Sequence, residues 1–180
     1  MHKYSFEFGN KDMFTEFGFR IRKRHRLLKP PLRERKIIIP ERSGAYDFGA
    51  KYYDEITLLV ECDTIRKLSE ADKREAAYLL SAKNKITFWD EPDKYYIGRI
   101  YDAAEIEKVG GIGTYFPLTF VCDPFAYGRT VNAEIPSSGI FRPDYAGTAE
   151  TPTRIEIHNT GSGATAGNVT IKIVKRRENY

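Results

Sequence analysis

The sequence predicts a mainly β fold with one inserted helix, an α+β domain of sandwich-like build. Short runs of β-branched and aromatic residues recur along the chain, several of them alternating apolar and polar residues. Corners rich in Pro, Gly and Asp separate these runs, which is the chemistry of turns between antiparallel strands. A single stretch, between Thr64 and Ser81, carries a helix cap followed by an apolar stripe. Short strands around one short helix place the chain among layered β-rich folds.

Tyr4-Ser5-Phe6-Glu7-Phe8 alternates as a first strand, and Gly9 to Asp12 reads as its turn. Phe19 to Arg24 is a second strand, in which Phe19-Arg20-Ile21-Arg22 has one apolar and one solvated side. Lys36 to Ile39 is β-branched and stopped by Pro40, after which Arg42 to Tyr53 reads as a tyrosine- and glycine-rich loop. Glu55 to Cys62 has too few polar positions for an edge and reads as a central strand. In the helix, Ser69 caps the main part, Asp72 completes the box, and Ala76, Ala77, Leu79 and Leu80 supply an apolar stripe. Further strands follow at Ile86–Trp89, Tyr95–Tyr101 and Thr114–Cys122. Two last strands are expected at Arg154–His158 and Asn168–Val174. Composition turns to Gly, Pro, Ser and Thr after Pro124. The expected division is therefore a first domain over residues 1–130 and a linker with the first strands of a second β domain over 131–180.

Composition narrows the function classes. With 41% hydrophobic and 30% charged residues, the chain is a folded globular protein rather than a disordered one. No run nears the roughly 20 apolar residues that span a bilayer, so no membrane partner is expected. Met1-His2-Lys3-Tyr4-Ser5-Phe6 lacks a secretory core, so synthesis is expected in the cytoplasm. Cys62 and Cys122 each lie within an apolar run, the setting of buried reduced thiols, with a disulfide or a metal pair as the alternative.

Catalytic patterns are not present. His2, His25 and His158 are the only histidines and lie far apart, without metal-ligand spacing. No nucleophile elbow occurs, and Asp90-Glu91-Pro92-Asp93 reads as a turn. Gly161-Ser162-Gly163-Ala164-Thr165-Ala166 fits a dinucleotide fingerprint, but that site needs a helix next, and Asn168 to Val174 reads as a strand. No cofactor, metal or enzymatic activity is expected. The informative feature is a basic block: Arg20, Arg22, Lys23, Arg24, Arg26, Lys29, Arg33, Arg35 and Lys36 stand against the single acid Glu34. Such a block suits an acidic partner surface or nucleic acid. Arg20, Arg22, Arg24 and Arg26 are therefore candidates for an intersubunit seam or a channel wall. There they would pair with acids such as Asp47, Asp54 and Glu55 of a neighbour. Tyr46 and Phe48, in the aromatic loop, are candidates for burial against the core or a neighbouring subunit.

Four phrases recur in one order. Pro30-Pro31-Leu32-Arg33-Glu34-Arg35 runs into Ile37 to Asp47. Then come Trp89-Asp90-Glu91-Pro92-Asp93, Phe120-Val121-Cys122-Asp123-Pro124-Phe125-Ala126-Tyr127 and Ala146-Gly147-Thr148-Ala149-Glu150-Thr151-Pro152. Together with the Gly44-Ala45-Tyr46-Asp47-Phe48-Gly49 loop and the single helix, their order and spacing resemble the distal tail protein family of long-tailed bacteriophages. The resemblance covers Phe17 to Phe125 and returns at Gly147 to Ile157. It implies a structural protein of a phage or prophage tail tip, found in the virion and assembled as a hexameric ring. It also implies the partners: further copies of itself, the tail tube protein, a tail-associated hub protein, and receptor-binding or baseplate proteins. Fuller members carry a galectin-like second domain that begins near Thr148–Pro152, and this chain runs about two strands into it. Two other classes stay open at this stage: a basic nucleic-acid-binding module resting on Arg20–Arg26, and a carbohydrate-binding β-sandwich.

Overall fold

The structure, a computed structural model, describes residues 1–49, 52–102, 107–109, 113–135, 140–142, 147–149, 151, 153–158, 163 and 171. The chain divides into two compact units, Met1–Gly147 and Thr148–Tyr180. In the second unit Arg154 and His158 both pair with Glu156. Residues 153–158 form no strand, although the sequence predicts one at Arg154–His158. Alternation there is present, but no described neighbouring strand gives it a ladder to join. Nearly all of the Gly161–Ala166 and Asn168–Val174 segments lies outside the described residues.

The first unit is built on one antiparallel sheet. Its strands are β1 (Phe6–Phe8), β2 (Lys11–Asp12), β3 (Phe19–Arg24), β6 (Ile56–Thr64), β7 (Asn84–Phe88), β8 (Tyr96–Ile100), β9 (Glu107–Val109) and β10 (Gly113–Cys122). The order is β2-β1-β7-β8-β10-β6-β3, with β9 also on β10. A separate ribbon pairs β4 (Lys36–Ile38) with β5 (Ala45–Asp47). Helix α1 (Met13–Phe17) follows β2, and α2 (Glu70–Leu80) joins β6 to β7. This is the mainly β, α+β fold the sequence predicts.

Period-two alternation puts one face of each strand inside. Phe6 and Phe8, Phe19 and Ile21, Leu58, Val60 and Cys62, Ile86 and Phe88, and Phe116, Leu118 and Phe120 are all buried. The rings interlock: Phe120 lies 5.8 Å from Phe6 and 6.0 Å from Phe8, and Phe19 meets Phe116 edge-on at 4.8 Å. Met13 and Phe17 of α1 and Ala76 and Leu80 of α2 cap the same core.

The sheet curls until its ends meet. β3 lies at one end of the strand order, yet the Ile21 N–H donates to the Tyr4 carbonyl, just before β1, at 2.7 Å. This partial closure covers an edge that would otherwise stand open. Close packing also demands Gly98 opposite Cys122: a Cβ there would strike Cys122 Sγ and come within 2.7 Å of the Val121 carbonyl. Pro117, inside the long strand β10, falls between the stretch paired with β9 and the stretch paired with β8.

Helix α2 starts as its sequence requires. Ser69 Oγ accepts from the Asp72 N–H while the Asp72 carboxylate accepts from the Ser69 N–H. Helix α1 is not predicted from sequence. Asp12 caps it by accepting from the Phe14 N–H, and Gly18 ends it at φ 72°. Its five residues are too few to show a helical stripe. The span that reads as a loop between Arg42 and Tyr53 contains β5, and β9 is likewise unpredicted.

Candidate functional site

Two surfaces carry the residues singled out by sequence: the β3 strand and the β4–β5 ribbon. The β3 arginines are occupied within their own subunit. The Arg20 guanidinium grips Asp63 on β6 in a fork, with Nε–Oδ1 at 3.0 Å and NH2–Oδ2 at 2.7 Å. Arg22 Nε adds a third contact to the same carboxylate at 2.7 Å. Arg24 forks onto Asp90 at 2.8 Å through both nitrogens and lies 4.3 Å above the Phe88 ring. Arg26 reaches Glu91 at 2.7 Å. Two of the three acids expected from a neighbour, Asp54 and Asp47, are also engaged within the chain. Asp54 accepts from Arg33 Nε at 2.7 Å, and Asp47 accepts from the Gly49 N–H. The basic strand is therefore far better satisfied than its sequence implied, because β-pairing and the Asp90–Glu91 turn bring distant acids to it.

These pairs tie the curled sheet together. The hydrogen bonds from Arg20, against the opposing effect of burial, hold the Asp63 carboxyl below its ordinary range, and Arg22 adds to the effect. Stability from this group is full above its unfolded-state value, about 4, and is lost as pH falls through the lower folded value. Replacing Asp63→Asn should cost about 1–3 kcal/mol at neutral pH, the figure kept low because both arginines are partly solvated. The same variant should flatten the acid limb of stability against pH, read by urea unfolding at several pH values. An unchanged limb would mean that other carboxylates govern it.

The ribbon is different. It extends from a root where Leu32 bridges Tyr53, the Arg33 N–H donates to the Tyr52 carbonyl, and the Asp54 N–H donates to the Pro31 carbonyl. Its β4–β5 register runs Lys36 to Asp47, Ile37 to Tyr46 and Ile38 to Ala45. Every described residue of both strands is exposed. Ile38 is 82% exposed, Phe48 56% and Tyr46 46%. Tyr46 and Phe48 pack edge-on against each other at 4.9 Å, and Arg42 lies over the Tyr46 ring. Of the two settings expected for these aromatics, burial in their own core is not the one observed. A shallow, open concavity on the arm is lined by Glu34, Arg35, Lys36, Ile37 and Phe48.

Chemistry is sparse elsewhere. Among the described residues no group of three His, Cys, Asp or Glu side chains could hold a metal. His2 stacks on Phe14, His25 meets Glu61 and His158 meets Glu156. Cys62 and Cys122 are free and buried, and burial pushes the Cys122 thiol up to about 12, far from a reactive thiolate. Among the described residues no helix is long and apolar enough to cross a membrane.

The fold and surfaces define a class: a curled, β-dominated α+β domain with a projecting apolar arm. Among solved structures, the chain is similar to the SPP1 Dit (gp 19.1) protein, described as a paradigm of the hub adsorption apparatus in phages that infect Gram-positive bacteria. Identity is 25% and the TM-score 0.55, over 69% of this chain and 52% of that one. The chain thus spans about half the length of that protein. No protein-family profile and no curated relative matches it.

Proposed function

We propose that this chain is a structural, non-enzymatic protein of a phage or prophage tail tip. In this reading it forms a hexameric ring in the virion that joins the tail tube to the adsorption apparatus. The partners are the tube protein on one side, a tail-associated hub protein on the other, and receptor-binding or baseplate proteins at the periphery. The division near residue 130 and the galectin-like character of residues 131–180 belong to the same proposal, as does a place for Arg20, Arg22, Arg24 and Arg26 at the intersubunit seam or on the channel wall. Likeness to a phage hub adsorption protein supports it.

The observation that carries the reading is the arm. A ribbon of Ile37, Ile38, Ile39, Tyr46 and Phe48, all exposed, has no stabilising reason to stand in water. A repeating subunit supplies the cover: each arm lies on the next copy, and a closed ring leaves none bare. A stable contact of this kind buries about 800 Å² per partner. Nucleic-acid binding by Arg20–Arg26 is less favoured, because Asp63, Asp90 and Glu91 already pair with these arginines and offset most of their charge. Negative-stain imaging of the purified full chain tests the reading. Closed rings of constant subunit number support it; only monomers or irregular aggregates over a wide concentration range contradict it.

A further inference from the structure

The β6–β10 pairing runs without a slip from Tyr115 opposite Asp63 to Cys122 opposite Ile56. Continued at the same register beyond Cys122, it brings Phe125 opposite Tyr53, at the root of the arm. The rings do meet there, edge to face, with centroids 4.9 Å apart and planes at 72°. Pro124 has no N–H, so at this point the pairing rests on side chains rather than on the backbone ladder.

On its other side the same segment is stitched to β8. The Asp123 N–H donates to the Ile97 carbonyl at 2.9 Å, and Tyr127 and Tyr95 exchange two backbone hydrogen bonds at 2.7 and 2.9 Å. From Ile97 to Tyr95 is two steps, whereas from Asp123 to Tyr127 is four. Residues 123–127 therefore bulge by two residues relative to β8, and Phe125 lies at the middle of the bulge. The flanks of the bulge are fixed: the Tyr95 and Tyr127 rings stack, Tyr127 Oη donates to Asp123, and Lys83 pairs with Asp123 at 2.9 Å.

We propose that Phe125 is the positioning residue of the arm. Held by a pinned bulge, its ring sets the angle at which the β4–β5 ribbon leaves the sheet by packing against Tyr53. The inference rests on the ring reading for its purpose, since an arm must be aimed to land on a neighbour, but the geometry is a property of one subunit. The arm and the chain leaving β10 are thereby coupled, so displacement of either is felt by the other.

Spin labels on the full chain at Ser43→Cys, on the arm tip, and Ala82→Cys, an exposed position just after α2, report the arm angle. The native thiols are buried, and dilution with excess unlabelled protein removes distances between subunits. With Phe125 intact, one narrow distance distribution is expected. Phe125→Ala should at least double its width while circular dichroism and the thermal midpoint stay near those of the parent. Tyr53→Phe keeps the edge-to-face pair and should keep the narrow distribution. Should Phe125→Ala fold poorly, Tyr53→Ala tests the other half of the contact with the same expected broadening. An unchanged width in a folded variant overturns the proposal, and does so whether or not rings form.

Discussion

Replacing Tyr46 and Phe48 together with serine is expected to yield a folded monomer that no longer assembles. Both side chains are exposed and touch each other rather than the core, so the subunit loses about 1 kcal/mol at most. In an assembly the same residues are aromatic anchors. Truncating an anchor of this kind costs about 2 kcal/mol. The pair then weakens each subunit contact by about 4 kcal/mol, roughly a thousandfold, and more around a closed ring. Sedimentation velocity should show the ring boundary replaced by a single slow species with an unchanged melting curve. A double variant that still sediments as the parent ring would move the assembly surface elsewhere. The β3 arginines would then be the next candidates.

The second large effect is internal. Phe120→Ala should destabilise the domain by about 3–5 kcal/mol, a large share of the about 5–15 kcal/mol of a typical domain. Phe120 is fully buried, touches the rings of Phe6 and Phe8, and sits where β10 pairs with both Leu58 of β6 and Ile100 of β8. A cavity here faces strands on both sides of the curl and cannot collapse without moving them. The thermal midpoint should fall by about 10 °C or more. Tyr78→Ala, on the exposed face of α2, is the control and should change stability by less than about 0.5 kcal/mol. A Phe120→Ala loss below about 1 kcal/mol would mean that the aromatic core repacks easily.

Much of this is legible in the sequence, for identifiable reasons. Alternation in Phe19–Arg24 and the apolar run through Val60 describe local burial, and burial decides strand faces. The Ser69–Asp72 box names a helix start because both of its hydrogen bonds are local. What the sequence hides is either too short or too distant. Helix α1 has only Asp12 and Gly18 as signals, and one turn shows no periodic stripe. Strand β5 pairs with β4 away from the core, so no buried face marks its pattern. The arginine partners lie far along the chain, as with Arg24 and Asp90, and only the curl of the sheet brings them together. The Phe125–Tyr53 contact has a readable signal, since the Asp123-Pro124-Phe125 corner follows a strand that pairs with the one after Tyr53. Using it requires the β6–β10 register, which sequence alone does not supply.

The ribbon as assembly surface is the centre of this account, and amide hydrogen exchange tests it most directly. Exchange is followed by mass spectrometry on assembled protein and on protein diluted to the monomer. In the monomer, amides of residues 36–48 should exchange quickly, because the ribbon is two strands with open edges and no core behind it. Assembly should slow them by at least a hundredfold, while amides of β6 and β10 stay protected in both states. An assembled ring in which residues 36–48 exchange as fast as in the monomer would contradict the account.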